Sequence, residues 1–245
     1  MPDPISLSIA VAAAIVGGFV RGYSGFAGPM IMLPAMTLLF GPVTAVVTIL
    51  LVDLVGNVVL LPDSVRQVSW RAATPLILGT VISVPFGSYL LLASDPHLMK
   101  LAIVYAVIGI ALVMLFGWRY RRALGTGPLF AVGVLGGGFL SAAYIGAIVP
   151  IFLYAGPDSA SRSRANIIIW AFAGAVLIAA AYVYGGAVTN VELLRAAILA
   201  PFYLGAIFLG SRLFRGIDEA LFRRSVLIIL ICGSIAGMMF SEGGS

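Results

Sequence analysis

Gly17-Gly-Phe-Val-Arg-Gly-Tyr-Ser-Gly-Phe-Ala-Gly-Pro-Met-Ile-Met-Leu-Pro34 decides the fold of this chain. The stretch is apolar enough for a membrane, yet it carries glycines at 17, 18, 22, 25 and 28, prolines at 29 and 34, and Arg21. Glycine is conformationally permissive and proline lacks an N–H, so a helix through this stretch breaks between Gly22 and Pro29. Broken backbone at membrane depth survives only where protein or a water-filled cavity surrounds it. The break therefore has to be enclosed by the rest of the chain.

Composition agrees with a membrane setting. Of 245 residues, 62% are hydrophobic and 9% charged, and the mean hydropathy is +1.14. A soluble domain carries roughly 25% charged residues. The sequence implies an all-α, polytopic transmembrane bundle in the lipid bilayer, with no nucleic-acid partner. Met1-Pro-Asp-Pro has no basic region and no cleavage site, so no signal peptide is expected. Cys232, the one cysteine, sits in an apolar run and reads as packing.

Outward from the opening stretch, the apolar run Ile5 to Phe40 is too long for one straight span of a ~30 Å hydrocarbon core. It reads as a hairpin of Ile5–Arg21 and Gly25–Phe40, closed by the turn Gly41-Pro-Val-Thr. Spans follow at Ala45–Leu61, Ala72–Ala93 and Leu101–Gly117. The charged link 118–127 separates this first repeat (1–117) from a second (128–240), with a tail at 241–245. The second repeat reads as a broken segment Pro128–Ala155, a loop Gly156–Arg164, and spans Ala165–Tyr184, Leu193–Leu213 and Phe222–Phe240. Gly22 and Pro34 echo Gly138 and Pro150, Gly41-Pro42 echoes Gly156-Pro157, Pro75/Gly79 echoes Pro201/Gly205, and Gly87-Ser88 echoes Gly210-Ser211.

Charge gives the orientation. If each broken segment returns to its own side, the halves are inverted repeats. Arg66, Arg71, Arg119, Arg121, Arg122, Arg162, Arg164, Arg212, Arg215, Arg223 and Arg224 then share one side, against Lys100 and Arg195 on the other. The positive-inside rule prefers this arrangement to one in which each segment crosses once. It places the 118–127 link in the cytoplasm and both termini outside. Two broken segments in corresponding halves are also the sequence pointer to the binding site of a secondary transporter.

The chain resembles the sulfite exporter TauE/SafE family, also called toluene sulfonate uptake permeases. The resemblance rests on the Gly-rich segment ending at Pro34, the Gly41 turn with Ala45 after it, Val68-Ser-Trp-Arg71, the Gly79 and Gly87 pair, and the weaker second copy. The family's consecutive glycines are diluted here to Arg21-Gly-Tyr-Ser-Gly-Phe-Ala-Gly28, and Gly136-Gly-Gly138 comes early in the second copy. Membership implies a transporter for sulfite, sulfonates or related sulfur compounds in a bacterial inner membrane, moving them in either direction. Export by alternating access is the reading taken here. A passive anion channel and a proton-coupled uptake permease are the alternatives, and a homodimer is compatible with any of them.

Residue by residue, the second half-helix starts near Gly25 to Gly28. Unpaired N–H groups there attract anions, although small residues also let helices pack closely. Arg21 costs ~3 kcal/mol or more to insert, so it needs a cavity or a partner. Its planar fork suits an oxyanion; snorkelling or permanent pairing with Asp53 are the other options. Asp53 lies mid-span with Asn57 one turn later. It reads as a proton carrier, a counter-charge released by substrate, or a fixed partner of Arg21. Tyr23, Ser24, Ser141 and Tyr144 stand at the breaks, where their hydroxyls can serve a ligand or freed backbone carbonyls. Asn166 reads as a helix-end residue, and Trp70, Trp118 and the tyrosines near span ends as interfacial anchors. His97 has no second histidine, so no metal site is expected there. With no Cys/His metal set, no P-loop and no paired histidines, neither an enzyme nor a bound cofactor is expected.

Overall fold

The structure, a computed structural model, describes residues 4–95, 98, 105 and 124–214. The expected spans Leu101–Gly117 and Phe222–Phe240 lie outside those residues, apart from Tyr105. So do His97, Lys100, Trp118, Cys232, the tail, the arginines at 119, 121, 122, 215, 223 and 224, and most of the 118–127 link. The described helices are α1 (Pro4–Ser24), α2 (Gly28–Phe40), α3 (Pro42–Val65), α4 (Trp70–Ala93), α5 (Thr126–Ala143), α6 (Ile148–Ala155), α7 (Ala160–Tyr184) and α8 (Asn190–Phe214). Six of them, all but α2 and α6, are long and apolar enough to cross a membrane.

Both broken segments break. The first does so at residues 25–27, inside the expected window, with Gly25 at φ 85°. The second breaks at residues 144–147, where Tyr144 takes the left-handed conformation at φ 53° and ψ 31°. Each helix thus ends on a left-handed residue that closes its last turn. The Gly25 N–H donates to the Arg21 carbonyl at 2.8 Å, and the Tyr144 N–H to that of Leu140 at 2.9 Å. Glycine takes this conformation without steric cost. A tyrosine there costs on the order of 1 kcal/mol and needs other contacts to hold it.

Contacts along the helices give their directions. On α1 and α8, Gly18 meets Tyr203 and Gly22 meets Ile207, so these two run parallel. Helix α3 runs with them, since Thr44 bonds Glu192 and Asp53 bonds Tyr203. Helices α4, α5 and α7 share the opposite direction. Leu76 meets Gly133 and Gly87 meets Gly138, while Ser69 bonds Asn166 and Thr80 bonds Trp170. Helix α2 doubles back along α1, and its last residue, Phe40, lies under the Arg195 guanidinium near the start of α8. The first hairpin therefore opens at the end where α1 begins. The second opens at the opposite end, where α6 finishes beside the start of α7 and the Ser163 hydroxyl donates to the Leu153 carbonyl. The most extensive packing is α4 on α5 and α1 on α8.

Two loops are shorter than the sequence suggests. Helix α3 continues through Pro62-Asp-Ser to Val65, and α7 begins at Ala160 rather than Ala165. Ser159 explains the second correction, because its side chain caps α7 by accepting from the Arg162 N–H at 3.4 Å. Polar Ser-Arg-Ser-Arg reads as loop by composition, but one capped turn of helix accommodates it. Asn166 is not at a helix end as expected, because the earlier start of α7 places it inside the helix. Its Oδ1 accepts from the Ser69 N–H at 2.7 Å, at the start of α4.

Candidate functional site

Four helices bring their polar groups to one buried cluster. Asp53, halfway along α3, is the hub. Its Oδ1 lies 2.8 Å from Arg21 Nε and accepts from the Tyr203 hydroxyl at 2.6 Å. Its Oδ2 accepts from Asn57 Nδ2 at 3.1 Å and from the Tyr144 hydroxyl at 3.2 Å. Arg21 projects from the last turn of α1. Its Nη1 donates to the Gly25 carbonyl inside the first break, and its Nη2 to Asn57 Oδ1 at 2.5 Å. The Arg21–Nε contact is an ion pair rather than an aligned hydrogen bond, since that N–H points off the line to the carboxylate. Arg21, Asp53, Asn57, Tyr144 and Tyr203 are all buried.

Two charges this deep are costly unless paired and hydrogen-bonded. Here they cancel, and neutral donors fill the remaining carboxylate positions. The ion pair spans two elements of the first half, while both tyrosines come from the second. A small cavity of about 10 Å³ adjoins the cluster. Its walls include Arg21, Asp53, Tyr144 and Trp170, with Phe26 from the first break and Gly146 from the second. That volume is about what one water needs. A four-heavy-atom oxyanion does not fit without movement of the walls.

The nine residues singled out from the sequence divide. Arg21, Asp53 and Tyr144 line the cavity, while Asn57 and the Gly25 carbonyl bind Arg21. Ser24 donates to the Val20 carbonyl and accepts from the N–H groups of Phe26 and Ala27, so it caps the break internally. Ser141 donates to the carbonyls of Gly137 and Gly138. Gly28 packs against the Gly17 carbonyl and the Tyr203 hydroxyl, and Tyr23 is buried where α1 meets Gly210 of α8. None of these last four lines the cavity.

Two tyrosines near span ends are not interfacial anchors. Tyr154 is buried and donates to the Ser24 carbonyl at the first break, 2.8 Å away. Tyr182 is buried and donates to the Ser141 carbonyl beside the second. Each satisfies a carbonyl freed where a helix stops, which outweighs the pull of the interface. Tyr184, two residues further on, is 97% exposed and Trp70 is 54% exposed, as an anchor position requires. Arg164, which the sequence marked only as a topology charge, donates to the Gly22 carbonyl at 2.6 Å. Among the described residues no cluster of three His, Cys, Asp or Glu side chains could hold a metal.

Apolar membrane-length helices, two backbone breaks and a buried charged pair at their meeting point define a polytopic membrane protein. Over residues 10–237 the chain matches the family described as Sulfite exporter TauE/SafE, and it belongs to that family. No curated protein and no solved structure matches the chain.

Proposed function

We propose that the protein exports a small sulfur oxyanion, sulfite or an organosulfonate, across a bacterial inner membrane by alternating access. The observation that carries this reading is the meeting of both backbone breaks at one small cavity beside Arg21 and Asp53. Arg21 offers a planar fork suited to an oxyanion. Substrate competes with Asp53 for it, and Tyr144 and Tyr203 supply hydroxyl donors. In this reading the 10 Å³ cavity is the closed state, and a change in the hairpins' packing enlarges it. A cavity this small, with no room for the anion, favours a gated carrier over a standing channel.

The repeat is inverted in this reading, with 1–117 and 128–240 as its halves. Opposite helix directions support it, and so does a shared offset. Gly25 and Tyr144 are 119 positions apart, as are Phe19 and Gly138, the residues whose carbonyls crowd Gly210 and Gly87. Arg66, Arg71, Arg162, Arg164 and Arg212 fall toward one end of the described bundle and Arg195 toward the other. The positive-inside rule makes the first end cytoplasmic and puts both termini outside. A C-terminal fusion should then light a periplasmic reporter; a cytoplasmic signal would reverse the orientation.

Sulfite near neutral pH carries about one to two negative charges, each worth ~2.3 kcal/mol per 100 mV. Export is therefore electrically downhill and needs no coupling ion. In proteoliposomes, labelled sulfite should cross saturably and show counterflow. Ohmic single-channel current without counterflow would favour the channel instead. Ser24→Cys and Ser141→Cys should change in accessibility when sulfite is added; unchanged accessibility at both would argue against rocking halves.

A further inference from the structure

A second polar cavity lies far from Asp53, at the basic end of the bundle. It measures about 540 Å³ and is lined by Arg66, Gln67, Ser69, Ser159, Ser161 and Arg162. Two helices begin on its wall. Ser69 is the N-cap residue of α4 and Ser159 that of α7, and these helices run in the same direction. Their positive dipole ends and N-terminal N–H groups therefore face the same end of the molecule. Two arginines add full charges to the same cavity. Among the described residues the Arg162 side chain pairs with Asp158 at 3.6 Å, with side chains 57% and 38% exposed, and a pair of that kind is weak and screened by salt.

The wall is also fixed from beneath. Asn166, fully buried, holds the Ser69 backbone through its Oδ1, while its Nδ2 has no hydrogen-bond partner among the described residues. A buried amide donor left unmade is costly, and it belongs to the side chain that anchors this wall. Two residues on from Arg162 along α7, Arg164 reaches the Gly22 carbonyl at the first break. The cavity and the break thus share one stretch of helix.

From this we infer that the Arg66–Arg162 cavity is an oxyanion-docking site at the basic mouth of the transporter, which loads sulfite-class anions before they reach Arg21. The inference rests on the transport reading for its purpose, but the binding itself does not. The recognised chemistry is a compact sulfur or phosphorus oxyanion, held by two guanidinium groups, serine hydroxyls and helix N-termini. An acidic lipid headgroup would present the same phosphate.

The test places a thiol in the wall. Gln67→Cys in a Cys232→Ser background is reacted with an anionic thiosulfonate reagent, in lipid-free detergent, with sulfate as the probe anion. Sulfate should slow modification by about the factor 1 + [L]/Kd, roughly tenfold at ten times Kd, with chloride at equal ionic strength far less effective. Arg66→Gln/Arg162→Gln should abolish that protection. In flux assays the same double variant should raise KM about tenfold and leave kcat unchanged, as removal of uniform binding does. Protection by phosphatidylglycerol micelles but not by sulfate would make the cavity a lipid site and overturn the inference. No protection by either would overturn it as well. Protection without any sulfite flux would leave the docking site standing and remove the export reading instead.

Discussion

Asp53→Leu is expected to destabilise the protein by about 3–5 kcal/mol, the usual cost of stranding one member of a buried ion pair. The loss comes less from the attraction removed than from what remains. Arg21 would keep its bonds to Asn57 and the Gly25 carbonyl, but its charge would sit buried beside two tyrosine hydroxyls with no anion. Replacing both charges avoids that, so Arg21→Met/Asp53→Leu should recover most of the stability. The pair then behaves as a strongly coupled double-mutant cycle. Thermal unfolding of the purified proteins in detergent checks it. An Asp53→Leu protein as stable as wild type would mean that the carboxylate does not neutralise Arg21.

Gly22→Leu should have the next largest effect. A Cβ at position 22 would lie 2.1 Å from the Ile207 carbonyl oxygen and 2.8 Å from its carbonyl carbon, so backbone and not a flexible side chain stands in the way. Helices α1 and α8 must separate to admit it. Over-packing of a fitted contact costs about 1–3 kcal/mol. The functional cost is larger than that figure suggests, because the same interface sets the distance between Arg21 on α1 and Tyr203 on α8, the two groups that share Asp53 Oδ1. Gly205→Ala is the control. Among the described residues nothing lies within 4 Å of the site of its Cβ, so it should leave both melting and flux near wild type. Equal behaviour of Gly22→Leu and Gly205→Ala would show that α1 and α8 do not need their close contact.

The first break was legible because its signals are local. Glycine and proline punctuate a helix wherever it is placed, and Gly25 with Pro29 stops α1 and starts α2 within a few residues of expectation. Arg21 and Asp53 were legible because a charge in an apolar run has to be explained. The second break was harder to locate. Its stop residue is Tyr144, which no propensity marks as left-handed, and the Gly22–Gly138 echo misplaces it by three positions against the 119 offset of the breaks themselves. Tyr203 was missed altogether. A tyrosine in an apolar helix is ordinary, and only the fold brings its hydroxyl 2.6 Å from a carboxylate 150 positions away. A mid-span tyrosine that needs a partner for its hydroxyl was the available signal. Tyr154 and Tyr182 were misread for a related reason. Nearness to a span end suggests the interface, while their real partners are carbonyls freed by breaks in other helices.

The most direct measurement is labelled sulfite flux through proteoliposomes holding wild type or Arg21→Met/Asp53→Leu, each first shown to be folded by its melting transition. Transport through the Arg21–Asp53 cavity predicts saturable flux for wild type and only the leak of empty liposomes for the double variant. Undiminished saturable flux in a folded double variant would contradict it, because the anion would then cross without the buried arginine that faces this cavity.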